Sequence, residues 1–75
     1  MTHQEIKMVM RTKARLASGL VNLLKDDTQQ ICIDVDDLDM FSLGEAIREA
    51  KRTSRNLLTT IDELEQALHT IKQDA

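Results

Sequence analysis

Two long stretches of three- and four-residue apolar spacing flank a shorter stretch whose period is ambiguous. In the first, Ile6, Val9/Met10, Lys13/Ala14, Leu16/Ala17, Leu20/Val21 and Leu23/Leu24 recur at that spacing. This is the mark of one broad apolar face on a helix of about six turns. Thr2-His3-Gln4-Glu5 ahead of it fits a capping box, in which the threonine hydroxyl satisfies an orphan amide. Lys13 is the one charge on the narrow version of this stripe, and Lys25 suits the negative end of the helix dipole. Asp26, Asp27 and Thr28 break the pattern, so the first helix is predicted over 3–25.

The second stretch is more regular. Leu43, Ile47, Ala50, Ser54, Leu57, Ile61, Leu64, Leu68 and Ile71 alternate in steps of four and three, and only Ser54 among them is polar. Such heptad spacing predicts a helix over 42–72 with a continuous packing seam. Ser42-Leu43-Gly44-Glu45 reads as its capping box. Thr53, Thr60 and Ala67 form a stripe of small residues beside the seam, and Leu58 widens the other flank. Positions beside a two-stranded coiled-coil seam usually carry paired charges. One flank here is small and uncharged, which indicates a bundle surface rather than an isolated zipper.

Between them lies DDTQQICIDVDDLDMF, residues 26–41. Read with period two, Ile31, Ile33 and Val35 share a face; read with period 3.6, Ile31, Val35 and Leu38 do. The run is too short to choose. Aspartate is a poor interior-helix residue and a good cap. The expectation is an acidic linker, irregular or extended at 30–35, with a short helical turn at 37–41 whose apolar side chains fold back over the end of a bundle. A sharper alternative has the strand-like part pairing with a partner's sheet edge or with its own copy. Counting Asp34 as position 1 of a calcium loop puts Asp36 and Glu45 at positions 3 and 12, but Leu38 and Asp39 fall at positions 5 and 6, where a ligand and a glycine are needed.

The linker lets the helices lie antiparallel, which gives one all-α domain over 1–75. A register with Leu24 beside Ile47 places Ala14, Ala17, Ser18 and Gly19 opposite Ala50, Thr53 and Ser54, and Lys7 near Glu63. The second helix then overhangs the first, leaving seam without an intramolecular partner. A chain this short has a marginal core. Both arguments lead to a homodimer, in the form of a helical bundle.

Composition narrows the chemistry. The chain has no Pro, Trp or Tyr, and one Phe, which suits helices and not a turn-rich β fold. Cys32 is a single cysteine and cannot staple the chain, so a reducing, cytoplasmic compartment is expected. Lys7, Arg11, Lys13 and Arg15 interrupt the first apolar run, so neither a secretory signal nor a membrane span is expected. The net charge of −3 conceals segregation: eight of the ten basic residues fall in two runs, and six of the thirteen acids lie between Asp26 and Asp39. Polarised charge is the pattern of an interaction surface.

No phosphate loop, nucleophile elbow or zinc-protease motif occurs, and a helical hairpin offers little concave volume for a substrate. Cys32 has no nearby histidine; His3, His69, Glu65 and Asp62 lack the ligand density of a metal site. The four methionines read as gap-fillers. No enzymatic role, cofactor or metal is expected. The favoured reading is a small protein–protein interaction module (an adaptor, chaperone-like subunit or inhibitor of a bacterium or phage) that binds a protein partner through Asp34, Asp36, Asp37 and Asp39. The alternative is a nucleic-acid-binding hairpin, with Lys7, Arg11 and Arg15 on one helix and Arg48, Arg52 and Arg55 on the other merging into a basic patch. The net negative charge and the lack of stacking aromatics weigh against it.

Overall fold

A computed structural model describes residues 2–74. It is an antiparallel hairpin of two long helices, α1 (His3–Asp36) and α2 (Met40–Asp74). Its backbone extends 55 × 15 × 12 Å.

Thr2 caps α1: its extended backbone sets the side-chain oxygen to accept from the Glu5 amide at 3.2 Å. The helix then continues through the whole of the expected break at Asp26–Thr28 and through the strand-like ICIDV. This corrects the linker: residues 26–36 are helix, and only Asp37, Leu38 and Asp39 lie between the two helices. The reason lies in the seam. The side chains of α1 that are buried or half-buried are Ile6, Met10, Lys13, Ala17, Leu20, Leu24, Asp27, Ile31 and Asp34. This is an unbroken alternation of four and three that crosses the supposed boundary at Asp26. Asp27 and Asp34 occupy seam positions and find hydroxyl partners on α2, which offsets the low helix propensity of aspartate. No proline or glycine between Gly19 and Gly44 stops the helix.

The reversal is a Schellman arrangement. The Leu38 amide donates to the Val35 carbonyl at 3.2 Å and the Asp39 amide to the Asp34 carbonyl at 3.0 Å. Leu38 stands where glycine is usual and takes φ 56°. Asp39 then caps α2, its Oδ1 accepting from the Ser42 amide at 3.1 Å. The cap is therefore Asp39 and not Ser42, and α2 starts at Met40. Ser42 lies inside the first turn with its hydroxyl free to reach α1.

Three cross-links define the register: Ser42 to Asp34, Thr53 to Asp27 and Lys13 to Glu63. Ser42–Asp34 and Lys13–Glu63 are symmetric about Leu38 and Thr53–Asp27 lies within about one turn of that count, which sets Leu24 level with Arg52 rather than Ile47, and Leu20 level with Asn56. The expected Lys7–Glu63 proximity is replaced by the Lys13–Glu63 ion pair. Straightening the linker into helix shifts everything beyond it. Helices of 34 and 35 residues are matched in length, so the expected overhang of the second helix does not arise.

The expected seam of α2 divides in two. Leu43, Ala50, Leu57, Leu64 and Ile71 are half-buried against α1. Their partners in the seam are the small stripe of Thr53, Thr60 and Ala67, extended by Ala46, which the spacing does not mark. Ile47, Ser54, Ile61 and Leu68 lie one position further round and are exposed. Thr53 and Thr60 are buried without loss of hydrogen bonding, since Thr53 donates to Asp27 at 3.0 Å and Thr60 to the Asn56 carbonyl at 2.9 Å. Gly19 has open space around it, so no close backbone approach depends on it.

Candidate interaction surfaces

The four aspartates singled out from the sequence have separate tasks. Asp34 is buried (3% exposed), accepting from Gln30 Nε2 at 2.9 Å and Ser42 Oγ at 2.8 Å. Asp39 caps α2. Asp37 is the C-cap of α1, its amide bonded to the Ile33 carbonyl at 2.9 Å, with its side chain exposed. Asp36 is exposed on the last turn of α1. Asp36 and Asp37 thus differ from the latch and the cap: both carboxylates are exposed on the outside of the turn. The segment Asp34–Glu45 is helix, tight turn and helix, not a twelve-residue cation loop. Among the described residues no group of three or more His, Cys, Asp or Glu is placed to hold a metal ion.

Apolar side chains share the tip with these acids. Leu38 is 74% exposed and Phe41 76%, with Met40 and Val35 also exposed nearby in the chain. From Asp26 to Ile47 the chain has seven acids and no Lys, Arg or His. The tip is thus an apolar knob in a negative field. The sequence reading folded these apolar residues back over the bundle end; the left-handed Leu38 and the immediate start of α2 leave them outside.

The second surface runs along one flank. Positions on one side of the seam meet across the hairpin: Val9 and Ile6 share a small cleft with Ala67 and Thr70, and Gln30 and Asp27 line an open groove of about 510 Å³ with Ser42, Glu49 and their neighbours. The opposite flank accordingly holds Ala14, Val21, Thr28 and Val35 from α1 and Ile47, Ser54, Ile61 and Leu68 from α2. None of these eight is charged, and all are exposed; Lys7, one heptad before Ala14, bounds the row at its far end.

The third surface is basic. Arg48, Lys51, Arg52 and Arg55 line one open groove on α2 with Asn56. Arg11 and Arg15 are exposed on α1. By heptad position Arg15 and Arg55 lie on the sides of their helices turned away from the shared seam, so the two ridges do not merge. Arg52 also contacts Glu49 at 3.7 Å, one turn earlier. Cys32 is a free, exposed thiol, and His3 and His69 are exposed. No described helix is long and apolar enough to cross a membrane.

Compared with protein-family models, curated proteins and solved structures, the chain matches none.

Proposed function

We propose that this chain is a small non-enzymatic interaction module that works by occupying a surface on a protein partner, with the hairpin tip as its contact. The observation that carries this reading is Leu38: a bulky apolar residue held in the left-handed region and left 74% exposed. A non-glycine residue there costs about 1–2 kcal/mol. Strain combined with exposure is the signature of a side chain retained for what it touches outside the molecule. With Phe41 it supplies the apolar anchor, and Asp36 and Asp37 supply a rim that suits a pocket edged with lysine or arginine. The rigid two-helix stem presents that anchor at one end of a rod.

The test is site-specific photocrosslinking in host lysate. A crosslinker at Phe41 is expected to capture a defined protein, and one at Glu49 on the stem is not. Capture should fall at least tenfold in Leu38→Ser and in the Asp36→Asn/Asp37→Asn double variant. Asp34 and Asp39 are left intact because they hold the turn. Equal capture from both positions, or capture indifferent to these substitutions, rejects the tip.

The basic groove on α2 favours a second reading, nucleic-acid binding. Four cations on one helix face would neutralise phosphates with a strong salt dependence. Its discriminating variant is Arg48→Ala/Arg52→Ala/Arg55→Ala, which should abolish a gel shift at low salt under this reading and leave Phe41 crosslinking intact under the first.

A further inference from the structure

We infer that the uncharged flank of the hairpin is an interface with a second copy of this chain, in which the two α2 helices run antiparallel about a two-fold axis near Leu57 and Leu58. This surface meets the tip only at Val35 and Met40 and does not include Leu38 or Phe41, and the inference does not depend on the tip's role.

The face has the size an interface needs. From Met40 to Leu68 a helix at 1.5 Å per residue spans about 42 Å. Two helices side by side are about 20 Å across, so the flank amounts to roughly 800 Å², the share each partner contributes to a standard stable interface. Met40, Ile47, Leu58, Ile61 and Leu68 are all exposed on α2, and Val21 and Val35 on α1. Meanwhile the hydrophobic residues buried within the hairpin are Ile6, Leu20 and Ala46. The other apolar residues of the seam are only half-buried, in a chain of a size that usually needs an added source of burial.

The occupant follows from the spacing along α2. An antiparallel copy brings Ile47 against the partner's Leu68 and Ser54 against the partner's Ile61, filling the stripe with its own complement. The same axis places Lys51 beside the partner's Glu65, and Glu65 beside the partner's Lys51. Lys51 and Glu65 occupy equivalent heptad positions just outside the apolar stripe and are exposed. A parallel copy would set Lys51 against Lys51 and Glu65 against Glu65. Charge therefore selects the antiparallel arrangement and closes it as a symmetric pair. The tips then project from opposite ends of a four-helix body, and both stay free.

Analytical ultracentrifugation of the full chain at low salt tests this. Wild type should sediment at twice the 8.5 kDa of one chain. Ile61→Glu should give a monomer with unchanged helicity by circular dichroism. Lys51→Glu should raise the dimer dissociation constant at least tenfold, and Lys51→Glu/Glu65→Lys should restore it. A wild-type monomer at high micromolar concentration, or a dimer indifferent to Ile61→Glu, overturns the interface. Weakening by Lys51→Glu that the double variant fails to reverse overturns the antiparallel pairing. The charge-reversal pair lies on the rim, so it remains decisive if Ile61→Glu fails to fold.

Discussion

Two neighbouring stripes of α2 differ in a direction opposite to their hydrophobicity. Ala46, Thr53, Thr60 and Ala67 are small or half-polar, and they face α1. Ile47, Ile61 and Leu68, one position on, are large and apolar, and they face outward. If transfer from water alone set the rotation of α2, the second stripe would be inside. What sets it instead is the turn. The Schellman bonds at Asp34–Asp39, the Asp39 cap and the Ser42–Asp34 hydrogen bond fix how α2 leaves α1, and Asp27 then requires Thr53 rather than Ser54 across the seam. The small residues fill the seam beside the half-buried heptad positions, and the larger stripe is left exposed. The lesson is that a heptad pattern reports the apolar width of a helix, while caps and polar seam partners decide which part of that width is used at home.

The most forceful way to break this comparison is to charge each stripe in turn. Thr60 is 4% exposed, so Thr60→Glu places a carboxylate where no partner waits; the expected loss is about 3 kcal/mol or more of hairpin stability. Ile61→Glu, one residue along, faces water in the single chain and should cost less than about 1 kcal/mol. Urea unfolding followed by circular dichroism, at concentrations low enough that association does not contribute, separates the two. Equal losses would mean that the stripes have been assigned to the wrong sides.

A second variant tests the latch itself. Asp34→Ala removes the buried acceptor of Ser42 and Gln30, and hydrogen bonds to a charged group are worth roughly 1.5–3 kcal/mol. The expected loss is about 2 kcal/mol, against no more than about 0.5 kcal/mol for Asp36→Ala on the exposed side of the same turn. The hydrogen exchange of the Leu38 and Asp39 amides should quicken in the first variant and not in the second. If Asp36→Ala proves as costly, the rotation of α2 is set by something other than this bond.

The hairpin was legible because apolar spacing survives in both arms: every seam position of α2 facing α1 except Ala46 was visible as either the heptad or the small stripe beside it. The middle was not. Asp27 and Asp34 continue the α1 seam in perfect step with Leu24 and Ile31, but an apolarity filter hides them, since a carboxylate at a seam position looks like an interruption until its hydroxyl partner is known. Thr53 and Ser42, the partners, lie 26 and 8 residues away in the chain. Mistaking helix for linker shortened α1, displaced the register, and created an overhang that the matched helices do not have. The acidic cluster was noticed as a group, yet its members divide into a buried latch, a cap and an exposed rim. That division depends on where one turn falls. A Gly would have announced the turn, and Leu38 concealed it.

That leucine gives the smallest expected effect and the most informative one. Replacing Leu38 with glycine relieves about 1–2 kcal/mol of left-handed backbone strain. Glycine's looser unfolded chain takes back about 0.5–1 kcal/mol. The net gain should be roughly 0.5–1 kcal/mol, a rise in the urea midpoint with no change in slope. A residue kept at a stability cost needs a reason, and its 74% exposure rules out packing within the hairpin as that reason. If the tip is the contact, Leu38→Gly must therefore move two readouts in opposite directions: the hairpin becomes harder to unfold, and crosslinking from Phe41 weakens. The outer stripe of α2 should be indifferent, with the dimer mass unchanged, because Leu38 lies beyond its end. Greater stability with undiminished crosslinking would leave the strain without a function and remove the principal support for the tip.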